Sequence, residues 1–216
     1  MGKEHAPLLP FLKEGMVEAG CDEAGRGCLA GPVFAAAVIL PPDFECPELN
    51  DSKQLTERRR YALRPLIEEN ALAYAVGIVS PKEIDELNIL WASVLAMHRA
   101  LNQLSLRPEH VIVDGNRFRK YGDVPHQCVV KGDGKCLSIA AASVLAKTYR
   151  DDYMNEISEQ YPAYKWAKNK GYPTKEHRAA IEEFGPTEHH RMSFTLIDPQ
   201  LKFVFCLLWM FPPSFS

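Results

Sequence analysis

The sequence predicts an α/β fold, a mixed sheet flanked by helices that gives way to a mostly helical C-terminal part. Three observations carry this expectation. Short apolar, strand-like runs alternate with stretches of helical periodicity, the pattern of a layered α/β domain. The first two runs, around Val17 to Cys21 and from Pro32 to Leu40, are separated only by the glycine-rich DEAGRGCLAG, which suits a hairpin and hence an antiparallel pair within a sheet whose later strands are joined by helices. From Ser138 onward the chain turns helical.

Residues 1–16 mix proline, glycine and charge and read as a ragged lead-in to the hairpin. After the Pro41-Pro42 break, NDSKQLTERRRYALRPLIEEN reads as a helix capped by Ser52 or Thr56, with Leu63, Leu66 and Ile67 on one face. ALAYAVGIVS is the third strand. From Pro81 to Leu104, Ile84, Leu87, Leu90, Trp91, Val94, Leu95 and Leu101 recur at helical spacing, with Pro81 suited to the first turn. HVIVDGN is a short buried strand ending at Asp114 and Gly115, and QCVVKGD repeats that arrangement, running out into Gly132 and Asp133. SIAAASVLAKTYRDDYMNEIS is a helix whose alanines leave a thin face able to approach a sheet closely. The terminal LKFVFCLLWMFPPSFS carries an apolar run of about half the ~20 residues a bilayer span needs, so it is expected to pack on the core or on a partner.

At 216 residues the chain suits one main domain, expected over 1–216 with its core at about 17–198 and an apolar tail from 199. Apolar residues at 46% and charged residues at 25% exclude disordered and fibrous classes. The net charge of -3 offers no basic surplus, so any nucleic-acid binding has to rest on a local patch. Six scattered cysteines with no C-x-x-C pair, and no signal-peptide pattern, point to a reduced, cytoplasmic setting in which the thiols are small buried hydrophobes.

Four acids stand beside glycine at the ends of apolar strands: Asp22 and Glu23 in CDEAGRG, Asp114 in VIVDGN and Asp133 in VVKGD. Each alone reads as an ordinary turn acid. Together they read differently, because carboxylates converging on the crevice at the strand ends are costly unless a cation neutralises them. Oxygen ligands without a histidine or thiol cluster favour a hard divalent ion, Mg²⁺ or Mn²⁺. A dinucleotide loop at Gly25, Gly27 and Gly31 fits poorly, since such a loop must open a helix whereas Pro32 leads into a second strand. Asp22 and Glu23 are adjacent and in a regular strand would face opposite ways, so the strand is expected to bend or end there, or Glu23 to contribute through its carbonyl.

YKWAKNKGYPTKEHR interleaves Lys165, Lys168, Lys170, Lys175 and Arg178 with Tyr164, Trp166 and Tyr172, which suits a phosphate backbone with an aromatic sugar or base contact. His177, His189 and His190 fall in no H-E-x-x-H pattern and read as hydrogen-bonding or phosphate-contacting groups. Ser143 and Lys147, one helical turn apart, could present a hydroxyl and an ammonium to a phosphate, although core packing explains Ser143 nearly as well.

The motifs CDEAGRGCLAGPV, LNDSKQLTERRR, EIDELNIL, VDGNR, VVKGD, SIAAASVLAKTYRD, KGYPTKEH and GPTEHHRMSF resemble ribonuclease HII, the bacterial type 2 ribonuclease H family, block by block and in order over roughly residues 17–194. The type 3 enzymes carry an extra N-terminal domain, for which about twenty residues leave no room. The resemblance implies a ribonuclease H-like fold and a metal site of Asp22, Glu23, Asp114 and Asp133 holding Mn²⁺ or Mg²⁺. It also implies that Gly25, Arg26 and Gly27 read the ribonucleotide and that Tyr172 lies on the neighbouring sugar, with Lys53, Ser143, Lys147 and His177 as further substrate contacts. The expected substrates are RNA–DNA hybrids and ribonucleotide-containing duplex DNA, cut on the 5′ side of a ribonucleotide by a monomer to leave a 3′-hydroxyl and a 5′-phosphate. Cys28 stands where the family often has proline. The rival from another class is a non-catalytic nucleic-acid-binding module, which would gain nothing from four acids beside its phosphate surface.

Overall fold

The computed structural model describes residues 7–49 and 55–197. Ser52, Lys53 and the tail from residue 199 lie outside the described residues. Strands β1 (Glu18–Ala24), β2 (Val33–Ile39), β3 (Ala73–Val79), β4 (His110–Asp114) and β5 (His126–Val129) form one sheet in the order β3-β2-β1-β4-β5. β1, β2 and β3 pair antiparallel, whereas β4 and β5 join parallel to β1 and to each other. The sheet is mixed, as expected, because after the hairpin β1–β2 the chain returns through helices to β4 on the other side of β1, and a helix-free loop over 115–125 then crosses to β5.

Helix α1 (Glu57–Asn70) begins at Thr56, whose side chain accepts from the Arg59 amide. Leu63 and Ile67 are buried on α1, but Leu66 is 47% exposed, off the face the periodicity assigned to it. The helix expected from Pro81 to Leu104 is two helices, α2 (Pro81–Leu87) and α3 (Ile89–Gln103). The break is Asn88 at φ 67°, outside helical space, whose side chain caps the amides of Leu90 and Trp91. Ser80 and Glu83 close a capping box on α2, with Pro81 in its first turn.

Alternation along β2 divides the core. Val33, Ala35, Ala37 and Ile39 face the layer that includes α3, while Ala36 and Val38 face α1 and the long helix α4 (Leu137–Gln160). Small residues at the seams let helices sit close to the sheet. A Cβ at Gly20 would run into the backbone of Ser138, and one at Gly77 into the Ala96 carbonyl and the Ala100 amide of α3. Past α4 the chain is helical, with short α5 (Trp166–Asn169) and α6 (Lys175–Phe184) covering Leu29, Ala30, Met154 and Ile157. The described thiols are free: Cys21, Cys28 and Cys136 are buried, Cys46 and Cys128 half-buried. No described helix is long and apolar enough to cross a membrane.

Gly77→Ala is expected to push α3 off β3 and lower stability by about 1–3 kcal/mol, the usual cost of overpacking against backbone that cannot yield. Urea unfolding checks this. Gly134→Ala, where a Cβ meets open space, should leave the midpoint almost unmoved.

Candidate active site

The parallel pairing of β1 and β4 ends at Cys21↔Val113, so the next residues along, Asp22 and Asp114, emerge side by side at the carboxyl ends of the two strands. The strand does not stop at the acidic pair, as the alternation argument allowed: β1 stays paired with β2 as far as Ala24↔Phe34. What ends is the pairing with β4, which opens that edge to a cleft of about 410 Å³ lined by Asp22, Glu23 and Asp114 together. Asp22 is 4% exposed and accepts from the Glu23 amide at 2.7 Å and from the Ser143 hydroxyl. Burial, and then the charges of Glu23 and Asp114, push its carboxyl well above the ordinary aspartate value. Asp114 accepts from the Gly132 amide at 2.7 Å, fastening the 3₁₀ turn Gly132–Gly134 to the end of β4. Asp133 is buried in that turn and does not line the cleft.

From the predicted set the cleft also gathers Gly25, Arg26, Gly27, Ser143, Lys147 and Tyr172. Lys147 is held by Asp151 at 2.5 Å, and Arg26 by Glu23 at 3.1 Å. Arg60 of the ERRR run, which no local pattern marks as a site residue, lines the cleft too. Among the described residues no three or more His, Cys, Asp or Glu side chains already enclose a point where an ion would sit. The donors facing the cleft nevertheless fit a hard divalent cation, since they are carboxylate and hydroxyl oxygens and a cation would relieve the repulsion that Asp22 bears.

Two further residues shape the site: Arg150 of α4 and Arg191, both fully buried. Arg150 donates to the carbonyls of Pro32, Ala30 and Lys170, and Arg191 to those of Gly31 and Arg26. One cue was available. Arg150 continues the buried stripe of Ser143 and Ala146 at helical spacing, although a lone arginine in KTYRDD reads first as a solvated charge.

A family model described as Ribonuclease HII matches residues 19–197. The chain belongs to the ribonuclease HII family. A ribonuclease HII of Bacteroides thetaiotaomicron is 69% identical over 199 residues, covering 92% of this chain and all of that protein. The crystal structure of the ribonuclease H2 of Pyrococcus horikoshii OT3 superposes with a TM-score of 0.67 at 25% identity, covering 83% of this chain and 94% of that one. A Bst-RNase HIII in complex with Mn²⁺ shares the fold at 20% identity, TM-score 0.65, with 86% of this chain and 69% of that one covered. Membership makes the protein an endoribonuclease, and the reading as a non-catalytic binding module falls with it.

In this chain the basic-aromatic segment is less exposed than its sequence suggests. Trp166 is fully buried and Tyr164 nearly so, leaving Tyr172, at 40% exposure, as the open ring of the three. Arg178 donates to the carbonyls of Thr195 and Leu196. His177 is also fully buried, which removes it as a direct phosphate contact: the covering aromatic layer takes the space a phosphate would need. Its role is hydrogen bonding. His190 Nδ1 accepts from the Thr187 amide, His190 Nε2 meets His177 Nε2 at 3.2 Å, and His177 Nδ1 donates to the Tyr172 carbonyl at 2.9 Å. Trp166 Nε1 donates to His177 Nε2 at 2.9 Å, so that nitrogen is an acceptor and both rings are neutral tautomers.

Burial lowers the proton affinity of both rings, that of His190 down to about 4 with His177 as the next cause. In the unfolded chain they protonate near the ordinary 6.5. The unfolded state therefore binds more protons between those values, and stability present above the unfolded value is lost as pH falls toward the folded one. Acidification from neutrality to near pH 5 is expected to lower stability by about 2 kcal/mol through His190. Urea midpoints across that range test this. In His190→Asn the pH slope should flatten, and parallel curves for the two proteins would contradict the assignment.

Proposed function

We propose that this chain hydrolyses the phosphodiester on the 5′ side of a ribonucleotide, in RNA–DNA hybrids and at single ribonucleotides embedded in duplex DNA, leaving a 3′-hydroxyl and a 5′-phosphate. The observation that carries this reading is the buried Asp22, crowded by Glu23 and Asp114 in a cleft whose other walls are Lys147, Arg60 and the Gly25–Arg26–Gly27 loop. Acids gathered beside cations and amides suit a polyanionic backbone only when metal neutralises them. Asp22, Glu23, Asp114 and Asp133 would hold two ions, Mn²⁺ or Mg²⁺, which when bound supply an activated water and neutralise charge on the leaving oxygen. The Mn²⁺ complex of the Bst-RNase HIII supports that choice of ion.

The protein's own groups then divide the work. Lys147, anchored by Asp151, faces a phosphate oxygen with its ammonium. Arg26 can exchange Glu23 for a neighbouring phosphate, which frees the Glu23 carboxylate for metal. Tyr172, whose ring edge lies 4.0 Å from the position a Cβ would take on Gly27, packs against the sugar beside the one the loop reads. Residues 1–216 act as a single catalytic domain and a monomer, and the free thiols suit a reducing, cytoplasmic setting.

Replacing Asp114 or Asp133 by Asn keeps the shape and removes the charge, so folding and duplex binding should persist while cleavage collapses. Isothermal titration with Mn²⁺ and a labelled duplex holding one ribonucleotide check both halves. A variant that cuts at the parental rate loses its place as a ligand.

Tyr172→Phe is expected to slow cleavage at a single ribonucleotide by roughly two- to tenfold, the value of one lost neutral hydrogen bond, and to change duplex affinity less. Tyr172→Ala should be slower still. Unchanged single-turnover rates in Tyr172→Ala would move the sugar contact elsewhere.

A further inference from the structure

The loop between β1 and β2 is held from below by its carbonyls. The Arg26 carbonyl accepts from Arg191 Nη1 at 3.0 Å, Leu29 from the Arg191 amide at 2.9 Å, Ala30 from Arg150 Nη2 at 3.1 Å, Gly31 from Arg191 Nε at 2.9 Å and Pro32 from Arg150 Nε at 3.1 Å. Gly25 accepts from the Cys28 amide at 3.3 Å. Both guanidinium groups are fully buried, and among the described residues neither forms an ion pair with a carboxylate. Arg150 also occupies the space where Gly25, at φ +97°, would carry a Cβ, so a side chain there would collide with the guanidinium.

A trans peptide is planar, and its carbonyl and the following amide point in opposite directions. Fixing the Arg26 carbonyl on Arg191 therefore fixes the Gly27 N–H away from the interior, at the exposed tip that lines the cleft. Among the described residues the Arg26 and Gly27 amides donate to no protein group. The buried Arg191 guanidinium on the carbonyl side also polarises that peptide, which strengthens the outward Gly27 amide as a donor.

We propose that Arg150 and Arg191 are positioning residues for ribose recognition: Arg191 aims the Gly27 amide at the 2′-hydroxyl by clamping the Arg26 carbonyl from within, and Arg150 holds the loop's return at the Ala30 and Pro32 carbonyls and backs it at Gly25. This rests on the reading that the Gly25–Arg26–Gly27 loop recognises the ribonucleotide. Arginine suits the task because its planar fork spans two or three carbonyls at once, which a lysine ammonium on a flexible stem cannot do.

The test is the preference for a duplex with one ribonucleotide over the same duplex in all-deoxy form. It is measured by fluorescence anisotropy with Ca²⁺ in place of the catalytic metal, after stoichiometric titration has counted the folded, binding-competent molecules. Arg191→Lys and Arg150→Lys keep the charge and lose the fork. Each is expected to reduce the preference by about three- to tenfold, the worth of one misplaced hydrogen bond, with all-deoxy affinity within about twofold of the parent. A purely structural role would lower the competent fraction and leave the preference intact. Gly27→Pro, which deletes an amide, serves as the reference. If it lowers the preference while both arginine variants retain it, the positioning role is overturned and the loop reading stands. If all three variants retain the preference, both are overturned.

Discussion

At Gly20 the strand β1 has no side chain, and the backbone of Ser138 and Ile139 occupies the space a Cβ would take. The 24 residues of α4 thereby lie directly on the sheet, with Ala140, Ala141 and Ala142 fully buried behind the contact. From that seat the helix carries Ser143, Lys147 and Arg150 at spacings of four and three out over the end of β1. Ser143 reaches Asp22, Lys147 reaches the cleft, and Arg150 passes beneath the glycine-rich loop. A helix held one side chain's width further away would break all three contacts, so the acids, the Lys147 ammonium at the cleft and the loop geometry share one packing constraint.

Around that helix the charges are sorted. Carboxylates collect where the β1–β4 pairing ends, and the cost of their crowding falls on Asp22, the most buried of those lining the cleft. Cations stand on the flanks: Lys147 and Arg60 at the cleft wall, Arg150 and Arg191 below the loop. A chain of net charge -3 can thus meet a polyanion, because local arrangement rather than the sum of charges sets the field that a phosphate encounters. The C-terminal layer has a mechanical share. Trp166, His177 and His190 form a buried, neutral hydrogen-bonded chain whose last acceptor is the Tyr172 carbonyl, which anchors an exposed ring on a buried support.

Much of this was legible in the sequence for a local reason. Strand identity, the hairpin and the long helix follow from periodicity and from Gly and Pro punctuation, and an acid beside glycine at a strand end marks the crevice of a mixed sheet wherever the sheet later closes. Asp22, Glu23 and Asp114 were found in that way. The break at Asn88 was missed because Leu87 and Leu90 keep the helical period across it, so apolar spacing alone hides a backbone that leaves helical space. Leu66 was placed on the wrong side of α1 because an apolar side chain next to a buried one invites inclusion in its face.

By itself, then, the sequence determined the class of fold, the acids at the strand ends and the family that the ordered motifs declare. Only the tertiary structure decided which polar and aromatic groups face solvent. Trp166 and His177 went inside, Tyr172 stayed open, Asp133 sank into a turn, and Arg150 and Arg191 became internal braces. The reason is distance along the chain. Arg191 donates to Arg26 across 165 residues and Arg150 to Ala30 across 120, and the burial of a charge is worth its desolvation only when such remote carbonyls arrive to replace the water.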